Sequence, residues 1–94
     1  MPNNHREVRE SKDFEKCKGN LGDVRRLDEA LEGFIWLVSR GPEEFPAINA
    51  KSRVQIAEVG PLLSSKGVLH NYMILFRVEG DGGIELLWIE IIPL

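Results

Sequence analysis

The stretch "IELLWIEII", residues 84–92, is the most informative segment of the chain about its fold. It is almost wholly apolar, although Glu85 and Glu90 interrupt it and Trp88 stands in its middle. The run is too short for a membrane anchor, because a spanning helix needs about 20 apolar residues. Its apolar side chains occupy odd and even positions alike, a pattern typical of a strand buried on both faces. We therefore predict a buried strand here.

Two further segments have the composition of strands. "RVQIAEV" (53–59) alternates apolar and polar residues, and "VLHNYMILFRVE" (68–79) is rich in aromatic and branched residues. "GDGG" (80–83) predicts a hairpin turn, because Gly and Asp adopt positive φ at little cost. Together with 84–92, these segments predict three consecutive antiparallel strands.

A long amphipathic helix is predicted within about residues 23–40. Asp23 is placed to cap its first N–H groups. Trp36 and Leu37 widen the apolar side of the helix, which indicates cover on two sides. The apolar stripe itself recurs at spacings of three and four residues, at Val24, Leu27, Leu31, Phe34, Ile35 and Val38.

The segment before this helix predicts two smaller elements. Alternation around Val8 permits a short edge strand, and residues 11–18 predict one or two helical turns with Ser11 as the N-cap. The polar residues 1–6 are expected to be disordered. The fold class is therefore α+β, with a short N-terminal strand, two helices and an antiparallel three-stranded meander in one domain spanning 1–94.

Composition narrows the classes of function. The 94 residues carry a net charge of −3, which gives no electrostatic case for nucleic acid as the main partner. The single Cys17 and the polar start favour a reducing cytoplasm, with no signal peptide and no membrane partner. Cys17 with His5 does not make a metal site, and "GDGG" lacks the helix and Lys of a phosphate loop. We expect no metal and no cofactor.

The number of helices predicts a binding surface. Two helices cover one face of a small sheet, so the second face either is covered by a partner or a second copy of the chain or forms a concave pocket. In a regular strand, Leu86, Trp88 and Glu90 share that second face, and we predict them to be partner-binding residues. The core is predicted to contain Leu31, Phe34, Ile89 and Ile91.

Two segments resemble the RelE/ParE superfamily of bacterial type II toxin–antitoxin systems. "RLDEALEGFIWLVSRGPEEFP" (26–46) is similar to the second helix and acidic exit turn of one subgroup. "NYMILFRVEGDGGIELLWIEI" (71–91) resembles the family hairpin, and "LLWIE" (86–90) recurs in that subgroup. The resemblance implies the fold predicted above and a toxin, or a toxin-like relative, that a cognate antitoxin neutralises.

The ribonuclease branch of this superfamily cleaves ribosome-bound mRNA with basic residues and a C-terminal Tyr or His. The resemblance points to Arg53, His70 and Tyr72 as the candidate catalytic residues. Gln55 and Met73 stand where that branch places basic residues, and its C-terminal basic segment has no counterpart here. Enzymatic activity is therefore left open.

Three functions remain open on the sequence. The first is a toxin component that acts by protein binding, for which DNA gyrase is one target in the ParE branch. The second is a ribosome-dependent mRNA endonuclease, and the third is a degenerate, non-toxic binding domain.

Overall fold

A computed structural model describes residues 6–22, 24–63 and 66–93. Along the chain these residues form β1 (Val8–Glu10), α1 (Lys12–Leu21), α2 (Val24–Arg40), a short 3-10 helix (Pro42–Glu44), β2 (Val54–Leu63), β3 (Leu69–Val78) and β4 (Ile84–Ile92). The α+β class and the order of the elements agree with the prediction.

The four strands form one sheet in the order β1-β4-β3-β2. The predicted meander is confirmed, because β2 pairs with β3 and β3 pairs with β4 in antiparallel fashion. β1 runs parallel to β4, with Val8 opposite Ile84, so the sheet as a whole is mixed. The helices α1 and α2 make a parallel pairing possible, because parallel strands need a connection of a dozen or more residues between them.

β2 is longer than the predicted strand 53–59 and continues through residues 60–63. Its register shifts between Val59 and Leu62, so the strand continues through an irregularity. Gly60 lies there with a φ of 137°, and a Cβ at this position would stand 2.6 Å from Oδ1 of Asn71. A residue with a side chain would not fit this backbone without a shift.

Both helices begin and pack largely as their sequences indicate. Ser11 caps α1, and its hydroxyl accepts a hydrogen bond from the Phe14 N–H at 3.0 Å. The predicted cap of α2, Asp23, lies outside the described residues. The prediction that α2 is covered on two sides was wrong, because Trp36 and Leu37 are 55% and 56% exposed. The helix instead packs along one stripe.

A single core fills the space between the helices and one face of the sheet. The predicted residues Leu31, Phe34 and Ile89 are buried, and Ile91 packs half-buried at the margin. Phe34, Phe45 and Phe76 make edge-to-face contacts with ring centroids 5.5–6.2 Å apart, an arrangement that the aromatic quadrupole favours. The other fully enclosed core side chains are Phe14, Val38, Ile74, Ile84 and Leu86.

One buried cation joins the three N-terminal elements. The Lys18 ammonium on α1 donates to Glu10 of β1 at 2.8 Å and to Asp28 of α2 at 2.6 Å. Burial lowers the pKa of Lys18, but the hydrogen bonds to Asp28 and Glu10 outweigh it and leave the pKa above its ordinary 10.5. Lys18 is therefore charged and ties α1 to its neighbours.

The N-terminal stretch is partly described. Arg6 was expected to be disordered, yet its N–H donates to the Ser39 carbonyl and its guanidinium donates to the Gly82 carbonyl. Residues 1–5 of the same prediction lie outside the described residues. Among the described helices, none is both long and apolar enough to cross a membrane.

Candidate functional site

The face of the sheet opposite the helices, here called the outer face, carries a continuous apolar row. Strand register places Ile56 beside Leu75, and Leu75 beside Trp88. Ile56 and Leu75 are half-buried, whereas Trp88 is 42% exposed. The described helices pack on the other face, so this row is open to solvent, as the sequence predicted for one face of the sheet.

An irregularity in β4 determines which residues reach the outer face. Phe76 pairs with Leu86 and Leu75 pairs with Trp88, so Leu87 is an extra residue, a β-bulge. Leu86 therefore points into the core and is fully buried, while Trp88 and Glu90 are exposed. The prediction that Leu86 shares a face with Trp88 was wrong, because it assumed a regular strand.

The charges of the outer face are divided between its two ends. At one end Arg77 makes ion pairs of 3.2 Å with Glu79 and 3.3 Å with Glu85. In the row next to Trp88, Met73 lies between Glu58 and Glu90. Both of these glutamates are exposed, and neither pairs with a cation among the described residues. The apolar row is thus bordered by uncompensated negative charge.

The hairpin turn next to Arg77 is fixed by a further pair. Asp81 accepts a hydrogen bond from the Gly83 N–H at 2.8 Å, and Arg9 of β1 lies 3.4 Å from its carboxylate. The Gly83 hydrogen bond and the Arg9 charge hold the pKa of Asp81 below its ordinary 3.8. The carboxylate therefore stays ionised, and its contact with Arg9 joins the β3–β4 turn to β1.

The three candidate catalytic residues do not converge. His70 and Tyr72 lie on the helix side of β3 with ring centroids 6.2 Å apart. Tyr72 is buried, with 8% of its surface exposed. Arg53 is exposed just before β2, and residue 59 of that strand pairs with Tyr72. Six residues of extended strand span about 20 Å, so Arg53 lies too far from Tyr72 along β2 for both side chains to contact one scissile phosphate.

Tyr72 instead lines a cavity of about 310 Å³ between α2 and the end of β2. Arg26 is the cation there, and its guanidinium donates to the Leu63 carbonyl at 3.3 Å. The sequence did not single out Arg26, since it reads as one of several charged residues on the exposed side of a helix. Among the described residues, Arg26 and Tyr72 both line this pocket, whereas Arg53 does not.

A second concave surface lies between β1 and α2. It has a volume of about 470 Å³, and Val8, Ile35 and Trp36 supply its apolar wall. The Arg40 guanidinium stacks over the Trp36 ring at 4.0 Å from the centroid. No group of three or more His, Cys, Asp or Glu side chains in the described ranges could hold a metal ion.

Comparison of the chain with protein-family models, with curated proteins and with solved structures finds no match.

Proposed function

We propose that this protein acts by binding a protein partner through its outer face, as the toxin or toxin-like component of a type II toxin–antitoxin pair. The observation that carries the binding proposal is the open row Ile56–Leu75–Trp88 on a sheet whose described helices all lie on the other side. Trp is enriched among the residues that dominate interface energies, and here it stands exposed in a β-sheet.

The charges indicate the chemistry of the partner. Glu58 and Glu90 border the apolar row and have no cation among the described residues. A partner segment with apolar side chains at its centre and Lys or Arg at its margin would complement both features. A second copy docked face to face on a two-fold axis parallel to the strands would bring glutamates toward glutamates, which disfavours that mode of self-association.

Binding is favoured over catalysis because Arg53 stands about 20 Å along β2 from Tyr72. A general base, a general acid and a cation must all reach one phosphate for RNA cleavage. The resemblance of residues 26–46 and 71–91 to toxin sequences supplies the biological setting, in which the partner is a cognate antitoxin and the same face meets the target.

The test is a charge reversal that leaves the core untouched. The double variant Glu58→Lys/Glu90→Lys changes the border of the outer face, and Glu15→Lys/Glu43→Lys is the matched control on exposed residues of the helical side. Each protein is expressed from an inducible promoter in bacteria, with and without the gene adjacent to its own. Growth and the folding of purified protein, by circular dichroism, are measured.

We expect the wild type and the control to arrest growth, the adjacent gene to relieve the arrest, and the outer-face variant to be folded but inactive. A folded outer-face variant that arrests growth like the wild type would show that this face is not the binding site. No arrest by the wild type would refute toxicity. Cleavage of ribosome-bound mRNA that His70→Ala abolishes would favour the enzyme.

A further inference from the structure

The exposed side of α2 carries two large apolar side chains and a glycine. Trp36 and Leu37 are large apolar side chains that are 55% and 56% exposed. Gly33 lies one turn before them in the helix interior, also exposed. Exposed apolar surface of this kind is typical of an interaction site, and a glycine in a helix interior costs about 1 kcal/mol relative to alanine.

Gly33 has no role in the described packing. Its backbone has no positive φ, and an added Cβ would meet no atom within 4 Å. An alanine would therefore fit in the single chain and would favour the helix more. A glycine here is useful where another backbone or a large side chain approaches α2 closely.

We propose that α2 pairs with α2 of a second copy of the chain in an antiparallel, two-fold arrangement centred between Phe34 and Ile35. In that register residue n lies level with residue 69 − n of the other copy, because antiparallel helices have equal rise. Trp36 then lies over Gly33 of the other copy, and Arg40 lies level with Glu29. The large ring fills the space that the missing side chain leaves.

The stripe has the geometry that such pairing needs. Glu29, Gly33, Trp36 and Arg40 are spaced by four, three and four residues, which places them within about 60° of arc on the helix. Because the arrangement has a two-fold axis, each contact occurs twice, with Trp36 on Gly33 and Arg40 beside Glu29 at both ends. The charges are thus self-complementary in this register.

Contacts within one chain give neither of these charges a close, buried partner of opposite charge. Glu29 has one cation near it, Arg25 at 3.8 Å, and the side chain of Arg25 is 96% exposed, so the pair is weak. Arg40 stacks on Trp36 and donates to the Trp36 carbonyl at 3.3 Å, with no carboxylate partner among the described residues. Pairing through this stripe leaves the outer face open, because α2 packs on the opposite side of the sheet.

The first test uses the two exposed helical glycines as a matched pair. Gly33 of α2 and Gly19 of α1 both have space for a side chain within one copy. Gly33→Gln would push the other copy away, whereas Gly19→Gln alters a helix outside the pairing. Sedimentation velocity of each full-length protein is measured from about 1 μM to about 1 mM, which is the range of dissociation constants expected for a dimer with a small interface.

We expect a wild-type dimer whose population rises through this range, a monomeric Gly33→Gln and a dimeric Gly19→Gln. Both variants should melt at or above the wild-type temperature when compared as monomers, since each gains helix propensity. A wild type that is monomeric throughout would overturn the proposal, and so would a Gly33→Gln variant that dimerises like the wild type.

The second test examines the register. Glu29→Arg alone and Arg40→Glu alone each place like charges together and should weaken the dimer at least tenfold, while the double exchange should restore it. If both single variants are folded and the double exchange does not restore dimerisation, the antiparallel register proposed here is wrong. If either single variant fails to fold, the Gly33→Gln result decides.

Discussion

Deletion of Leu87 should leave the fold intact, although it removes one residue from an interior strand of the sheet. Leu86 already pairs with Phe76 and Trp88 already pairs with Leu75, so the deletion joins two correctly registered halves of β4. The alternation of faces then continues without a break, with Leu86 inward, Trp88 outward and Ile89 inward. The bulge residue is extra to the pairing rather than part of it.

The expected cost follows from the contacts that Leu87 makes. Its side chain is half-buried, and losing that burial costs about 1 kcal/mol. Its carbonyl accepts a hydrogen bond from the Ser11 hydroxyl at 3.4 Å, which contributes about 1 kcal/mol at most. If β4 were regular, the deletion would turn Ile89 and Ile91 out of the core and Glu90 into it, at about 5 kcal/mol or more. That loss is comparable with the whole stability of a small domain, about 5–10 kcal/mol.

Urea denaturation followed by circular dichroism distinguishes these outcomes, with deletion of Leu75 as the matched control. Leu75 is also a half-buried leucine, but it lies at a regular position opposite the bulge, and its loss reverses the faces of one half of β3. We expect the Leu87 deletion to unfold at a slightly lower urea concentration and the Leu75 deletion to be unfolded in water. A Leu87 deletion that is unfolded in water would refute the bulge and the assignment of faces drawn from it.

Two further predictions concern the core and its buried cation. Phe34→Ala should destabilise the protein by about 3–5 kcal/mol, because it opens a cavity in the aromatic cluster, and an unchanged denaturation midpoint would contradict that placement. Because the pKa of Lys18 is raised in the folded state, its ion pairs stabilise the fold fully below pH 10.5 and lose that contribution as pH rises above it. The wild type should therefore lose more stability than Lys18→Met between about pH 10 and pH 12. Equal losses of stability in denaturant titrations would contradict the role of the ion pairs of Lys18 with Glu10 and Asp28.

Much of the candidate site was predicted from local pattern. The alternation in 53–59 and the composition of 68–79 located two strands of the outer face, and the helix count predicted that one face would stay uncovered. Trp88 was correctly placed on that face. The catalytic set was less predictable, because Arg53 and Tyr72 belong to different strands and their separation depends on the β2–β3 register.

What the sequence determined by itself is the kind and order of the elements, since periodicities of two and of three to four residues are local properties of the chain. Tertiary structure decided the rest. "ELLWIE" offers two adjacent leucines, and either could begin the inward set of β4. In the folded sheet Leu86 pairs with Phe76 and is fully buried, whereas Leu87 is the half-buried bulge residue. The parallel docking of β1 on β4 was likewise fixed by residues more than 70 positions apart, as the 7–84 hydrogen bond illustrates.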